Sequence, residues 1–191
     1  MSRVARLSIC AFVMIALALL DQLSKWYVIE RYFRLRSYDA DGPSLDFSTW
    51  LTTLTQERFP FYKTEITSFF NLVMVWNQGV SFGMFSSQHQ WMPYALGLMA
   101  LALCSVFLVW MWRATSILAS IALALIISGA LSNVWDRARF GGVADFLDFH
   151  IAGYHWPAFN IADSCIVIGV ACLAIHSLFF EKKTQTEVSA A

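Results

Sequence analysis

Charge is scarce in this sequence. Only 14% of its 191 residues are Asp, Glu, Lys or Arg, where soluble domains carry about a quarter. No such residue occurs between Glu65 and Arg113. An enzyme with an ordinary water-facing surface is excluded. The two signs balance at 13 each, so the positive excess that nucleic-acid binding needs is missing. Cysteine is also sparse. Cys10, Cys104, Cys165 and Cys172 sit in apolar runs without CxxC or zinc-finger spacing. They read as free thiols acting as small hydrophobes, which excludes a secreted disulfide scaffold. No internal repeat stands out. What is abundant is apolar surface, at 58% of residues with mean hydropathy +0.57. That composition belongs to a membrane protein and excludes a disordered chain.

A helix needs about 20 apolar residues to cross a bilayer core. Four stretches qualify, at about residues 7–28, 91–112, 114–135 and 159–180. Arg113 marks a short turn between the second and third. The segment 29–90 and the link between the last two spans lie on one side, and a polar tail follows from 181. Arg3 and Arg6 ahead of the first span raise the question of a cleaved signal peptide. Asp21 and Lys25 near its far end, and the lack of a small-residue cleavage site, favour an uncleaved span. Four spans put both termini on one side, with Arg3, Arg6, Arg113, Lys182 and Lys183. The basic residues opposite are spread over longer segments, so charge density places the termini in the cytoplasm.

The outer segment has two parts. Residues 36–65 hold Asp39, Gly42, Pro43, Asp46, Glu57 and Pro60, and read as loop with short pieces. Phe69–Phe85 is aromatic, β-branched and uncharged, broken at Asn77-Gln78-Gly79. It reads as strands bent around a turn at the membrane surface, with a further membrane helix as the alternative.

Ionisable groups in lipid cost several kcal/mol on the order of 3 even by lenient scales, and so face a bundle interior, pair, or do chemistry. Asp21 and Lys25 are four apart and share a helix face. They either neutralise each other and pin helix packing, or orient a site at the outer surface. Asn133 and Asp136 can share a face at the end of the third span. Arg137 either snorkels to the interface or braces two acceptors with its planar fork. Asp145 follows Gly141-Gly142-Val143-Ala144, and Asp163 begins the fourth span three residues after Asn160. An acid in a first helical turn is favoured by the helix dipole whatever else it does. The short link nevertheless confines Asp145 and Asp163 to one membrane face. Two carboxylates held close share a proton, so the ionised member can activate water while the other donates.

Other chemistries find less support. Asp145, Asp148, His150 and His155 lack the tight helical spacing of zinc motifs such as HExxH, and the histidines read as surface-loop residues. Cys165 has no histidine beside it in sequence. GxSxG and a Gly-rich phosphate loop are both absent from the sequence. Two rivals remain. One is a proton-coupled transporter subunit, disfavoured because the polar residues cluster at one face and do not trace a path across the membrane. The other is an assembly factor that docks partners on the aromatic outer segment.

Five blocks, in order, resemble one family. They are Asp21 to Lys25 (D-x-x-x-K), Asn77 to Phe82 (N-x-G-x-x-F), Gly129 to Arg137 (G-x-x-x-N-x-x-D-R), Gly141 to Phe146 (G-x-V-x-D-F) and Trp156 to Ser164 (W-P-x-F-N-x-A-D-S). On a four-span chain of this size they resemble the bacterial lipoprotein signal peptidases, or signal peptidase II. The resemblance implies an all-α membrane protein: a four-transmembrane-helix bundle, one domain over residues 1–191, with a small extracytoplasmic β-sheet cradle. It implies an intramembrane aspartic peptidase that cleaves prolipoproteins just before a Cys carrying diacylglycerol. The catalytic pair would fall on Asp145 and Asp163. Polar support would fall on Asp21, Lys25, Asn77, Gly79, Asn133, Asp136, Arg137, Asn160 and Ala162. Expected partners are lipid-modified prolipoproteins and membrane lipid. A monomer is expected, with no metal, cofactor or nucleic acid, in the bacterial inner membrane. The chain departs from the family pattern at Val80-Ser81, where two alanines are common, and in its long segment 36–65.

Overall fold

The structure is a computed structural model that describes residues 1–37, 43–54, 56–79 and 91–181. Val80-Ser81 and Phe82, the polar tail from 182 and the acidic stretch at Asp39 lie outside the described residues.

Helix α1 spans Arg3–Trp26 and continues in wider π-type turns over Tyr27–Phe33. It starts earlier than its apolar run because Ser2 caps it, accepting from the Ala5 N–H at 3.2 Å. Arg6 stays buried by donating to the Met111 and Trp112 carbonyls. A short helix α2, Phe47–Thr52, is capped by Asp46. Strands β1, Lys63–Thr67, and β2, Phe70–Asn77, follow. Helix α3, Met92–Arg113, opens with Pro93 in its first turn, where a missing N–H costs nothing. Residues 114–116 link it to α4, so Arg113 is the last helical residue and the turn comes after it.

Helix α4 runs Ile117–Phe140 and ends on Gly141 at φ 63°, a left-handed conformation that glycine adopts without a Cβ clash. The helix therefore extends five residues past the predicted end at 135. Asn133, Asp136 and Arg137 lie inside its last two turns. Strands β3, Val143–Ile151, and β4, Tyr154–His155, precede α5, Ile161–His176, which continues in π-type turns to Glu181. Asn160 caps α5, so the predicted start at 159 moves to 161.

The four long helices are long and apolar enough to cross a membrane. In the most apolar window of α4, 61% of residues are buried, against 17% in each of the others. The other three helices pack around α4. Gly129 is where α5 comes closest: a Cβ there would meet the Ala162 carbonyl oxygen well inside contact distance.

The strands form one antiparallel sheet in the order β1-β2-β3-β4. The predicted strand character of the Phe69 region is seen in β2. Its main partner, β3, comes from the link between α4 and α5, which sequence reading left without strand structure. His150 and His155, expected in a surface loop, instead pair in register on β3 and β4 with rings stacked at 4.7 Å. The segment 43–65, read as loop with short pieces, contributes α2 and β1. A buried apolar cluster that includes Phe33, Trp50, Phe59, Met74, Phe140 and Phe146 binds the sheet and α2 to the end of the bundle where α1 and α4 finish.

Candidate active site

Three chain segments converge at one end of the bundle: the last turns of α1, the last turns of α4 and the first turn of α5. Lys25 is the hub, with no exposed surface. Its Nζ lies 2.6 Å from Asp21 Oδ2 and 2.7 Å from Asp136 Oδ2, and donates to Asn133 Oδ1 at 3.3 Å. The helix face shared by Asp21 and Lys25 thus meets the face shared by Asn133 and Asp136. An isolated buried ammonium would cost several kcal/mol. Two carboxylates and an amide oxygen satisfy it.

The carboxylates have second partners. Asp21 accepts from Ser132 Oγ at 2.6 Å and from the Ala162 N–H at 2.8 Å. The second bond fixes the start of α5. Asp136 accepts from Gln22 Nε2 at 2.8 Å and from the Ala144 N–H at 3.3 Å. It thereby holds the backbone next to Asp145.

Asp145 sits on β3 and Asp163 in the first turn of α5. Asn160 and Asp163 form a reciprocal cap: Asp163 N–H donates to Asn160 Oδ1 at 2.9 Å, and Asn160 N–H donates to Asp163 Oδ2 at 3.2 Å. The Asn160 amide is also within reach of three oxygens, with Asp145 Oδ1 at 2.8 Å, Asn133 Oδ1 at 3.2 Å and the Ala144 carbonyl at 3.3 Å. Asn133 Nδ2 donates to Asp163 Oδ1 at 2.8 Å. Both carboxylates are thus held through Asn160 and Asn133, and both line one cleft of about 630 Å³. The rest of its wall is largely apolar, with Trp156, Phe159, Ile166 and Val167. A smaller cleft of about 240 Å³, which Asp163 also lines, is bounded by residues of α3, α4 and α5.

Burial first, and then the neighbouring Asp163 carboxylate, push Asp145 up to about 8. Hydrogen bonds from Asn77 and Asn160 and the charge of Lys25 oppose the shift without cancelling it. Asp145 is therefore largely protonated at neutral pH. Asn77 also accepts from the Gly79 N–H at 3.1 Å, and both residues line the smaller cleft.

Arg137 donates to the Asn133 carbonyl at 3.3 Å, while its buried Nε has no partner among the described residues. Among the described residues that backbone contact is the hydrogen bond its guanidinium makes, and the charges of Asp136, Asp145 and Asp163 act on it. Asp148, His150 and His155 do not join Asp145. Asp148 is three residues along the strand and so faces the opposite side of the sheet. It accepts from Asn71 at 2.7 Å and contacts His155 Nδ1 at 2.9 Å. Burial, its largest influence, would raise the Asp148 pKa, but these bonds and the two histidines hold it below the usual carboxylate range.

Sequence reading missed Gln22, Ser132 and Arg139 as members of the buried network. Gln22 and Ser132 are uncharged residues beside already noted ones. Arg139 reads in the sequence only as one more basic residue of the segments opposite the termini. A tally of every polar side chain in the apolar runs would have found the first two.

The comparisons with known proteins bear on this site. The family model described as signal peptidase (SPase) II matches residues 13–179. A lipoprotein signal peptidase of Aeromonas hydrophila subsp. hydrophila is 42% identical over 142 residues, covering 73% of this chain and 84% of its own length. Those of Methylocella silvestris and a Janthinobacterium species are 44% and 48% identical, covering 63% and 59% of this chain and 71% and 69% of their own. Two solved structures described as bacterial membrane enzymes share the fold. Their TM-scores are 0.64 and 0.63 at 22% and 23% identity, and the alignments cover 90% and 91% of this chain and 88% and 94% of theirs. With the model matched along most of its length and four helices suited to crossing a bilayer, the chain belongs to the signal peptidase II family and is a multi-pass membrane peptidase.

Proposed function

We propose that this chain is an aspartic endopeptidase that removes the signal peptide from prolipoproteins just before a diacylglyceryl-modified Cys, with Asp145 and Asp163 as its catalytic pair. The observation that carries the reading is that the two carboxylates open onto one cleft and are bridged through Asn160 and Asn133, with burial and the neighbouring carboxylate pushing Asp145 up to about 8. Asp145, pushed up to about 8, is the protonated member. Asp163, held by Asn133 and the Asn160 N–H, takes the role of base.

In this mechanism Asp163 removes a proton from water as the water oxygen attacks the scissile carbonyl carbon. Asp145 donates a hydrogen bond to the carbonyl oxygen and stabilises the negative charge that develops there. Collapse of the tetrahedral intermediate breaks the C–N bond, and the proton on Asp163 passes to the leaving amine. Asn160 and Asn133 keep both carboxylates oriented. Lys25 supplies the positive charge that balances Asp21 and Asp136 behind them.

The apolar wall of the cleft supports a lipid-modified substrate. Val167 and Ile168 of α5 line it and are 67% and 53% exposed on the bundle's outer face, so acyl chains can enter sideways from the bilayer. The site lies at the end of the bundle opposite the start of α1 and the end of α5. With cytoplasmic termini, as charge density implies, it faces outward from the inner membrane.

The test is cleavage of a diacylglyceryl-modified prolipoprotein by the purified chain in detergent. The unmodified precursor and a chelator-treated reaction run alongside. Cleavage before the modified Cys that survives chelation is the expected result. No cleavage by folded protein, or cleavage abolished by the chelator and restored by metal, overturns the reading.

A further inference from the structure

We propose that Gln22 is a positioning residue of this site: with Arg139 it couples the outer segment around α2 to Asp136, and through Asp136 to the backbone that carries Asp145. The inference rests on the reading of Asp145 as catalytic.

Arg139 is buried to 4% exposure in the last turn of α4, yet no carboxylate contacts it among the described residues. Its guanidinium lies between the Trp50 and Phe140 rings, 4.1 and 4.6 Å from their centroids. Toward α2 its fork donates to the carbonyls of Trp50 and Thr53 and to Gln56 Oε1. Toward the bundle it donates to Gln22 Oε1 at 3.2 Å. The other end of that same amide, Nε2, donates to Asp136 Oδ1 at 2.8 Å and to Ser132 Oγ at 3.1 Å.

The amide of Gln22 thus has a fixed polarity. The cation sets its oxygen and the anion its nitrogen. Asp21, Lys25, Asp136 and Arg139 are the charged groups around it, two of each sign. Gln22 is the neutral hydrogen-bonded link between Arg139 and Asp136, two charges that also attract each other directly. Asp136 has one oxygen for Gln22 and the other for Lys25 and the Ala144 N–H. A rotation of its carboxylate therefore moves the residue before Asp145. Displacements of this kind, distant from the chemistry, reduce turnover by about tenfold to a hundredfold. Substrate in the cleft does not touch Gln22, which is 4% exposed and lies behind Asp136.

Two variants of the full chain in detergent test this with the lipid-modified prolipoprotein. Gln22→Met keeps the volume and removes all three hydrogen bonds of the amide. Its kcat is expected to fall about tenfold or more with KM nearly unchanged. Gln22→Glu separates positioning from packing. Ionised, it repels Asp136; protonated, it accepts from Arg139 and its single O–H donates to Asp136, restoring those two bonds of the native amide. Its kcat deficit relative to the native chain is therefore expected to shrink as pH falls, while the deficit of Gln22→Met stays constant. A native kcat in Gln22→Met, a loss carried by KM, or a Gln22→Glu deficit independent of pH overturns the inference. Asp145→Asn, assayed beside them, separates the two ideas. An active Asp145→Asn removes the catalytic reading itself. An inactive one together with a native Gln22→Met removes only the role of Gln22.

Discussion

Asp21, Lys25 and Asp136 show how a charge can be kept in an apolar bundle: the ammonium has two carboxylates and an amide oxygen within 3.3 Å. Lys25→Met would leave both carboxylates buried and unpaired, a loss of about 3–5 kcal/mol for a broken buried ion pair. A markedly lower unfolding temperature in detergent is the expected outcome. For the proposed pair, Asp145→Asn and Asp163→Asn should each abolish cleavage with little change in thermal stability. Substantial turnover in either variant would remove that residue from the chemistry. The pH dependence follows from the direction of the Asp145 shift. Its pKa is raised from 3.8 to about 8 in the fold, so the folded chain holds a proton that the unfolded chain has lost between those values. Activity that needs this proton is present below about 8 and falls as pH rises through it. A kcat profile flat across that range would speak against a protonated Asp145. The same group makes folding less favourable as pH rises from 3.8 to about 8, because there the unfolded chain binds fewer protons. Much of this network was legible in sequence. Charged residues in lipid-length runs stand out by their cost, and the four-residue spacing paired Asp21 with Lys25. Gln22 and Ser132 carry no charge and do not stand out.

Two elements set the distance between the carboxylates. Helix α5 presents Asp163 at its first turn because Asn160 caps it, and Asn160 also holds Asp145. Asn160→Ala should therefore do more than its helix-capping loss of about 1 kcal/mol. A small drop in unfolding temperature with a large drop in kcat is expected; equal and modest effects on both would reduce Asn160 to a cap. The second element is α4, pressed against α5 at Gly129. Gly129→Ala would place a methyl against the Ala162 carbonyl and 2.9 Å from the Ile166 side chain. The start of α5 would have to shift, with Asp163 on it. Loss of cleavage in a protein that still folds is expected, and native activity would show that the contact can relax. Strand β3 was not legible in advance. Its burial pattern is set by β2 and the bundle end together, so Val143–Phe146 are all buried and show no two-residue alternation. The helix ends were legible only to a few residues. Ser2, Gly141 and Asn160 decided them, and hydropathy does not register caps.

The whole molecule has two ends of different character. Around Cys10, Cys104, Leu123 and Ile127 the bundle is closed by apolar packing. The opposite end holds the polar network, the sheet and the cleft. Given the proposed orientation, a reporter fused after the C-terminus should be active only if it works in the cytoplasm. A C-terminal alkaline phosphatase that is active in intact cells would invert the topology and place the cleft inside.

Composition alone determined that the chain is a multi-pass membrane protein, because a run of about 20 uncharged residues has few other stable homes. The order of polar motifs along the chain was enough to suggest its family. Tertiary structure decided which polar groups meet. Lys25 joins residues 108 and 111 positions away, and no local spacing encodes such contacts. It also decided that Asp148 and the histidines stand apart from Asp145, because a strand sends residues an odd number apart to opposite faces. And it decided that Arg139, an ordinary basic residue by sequence, is buried between two aromatic rings, where its hydrogen bond toward the site goes to the amide of Gln22.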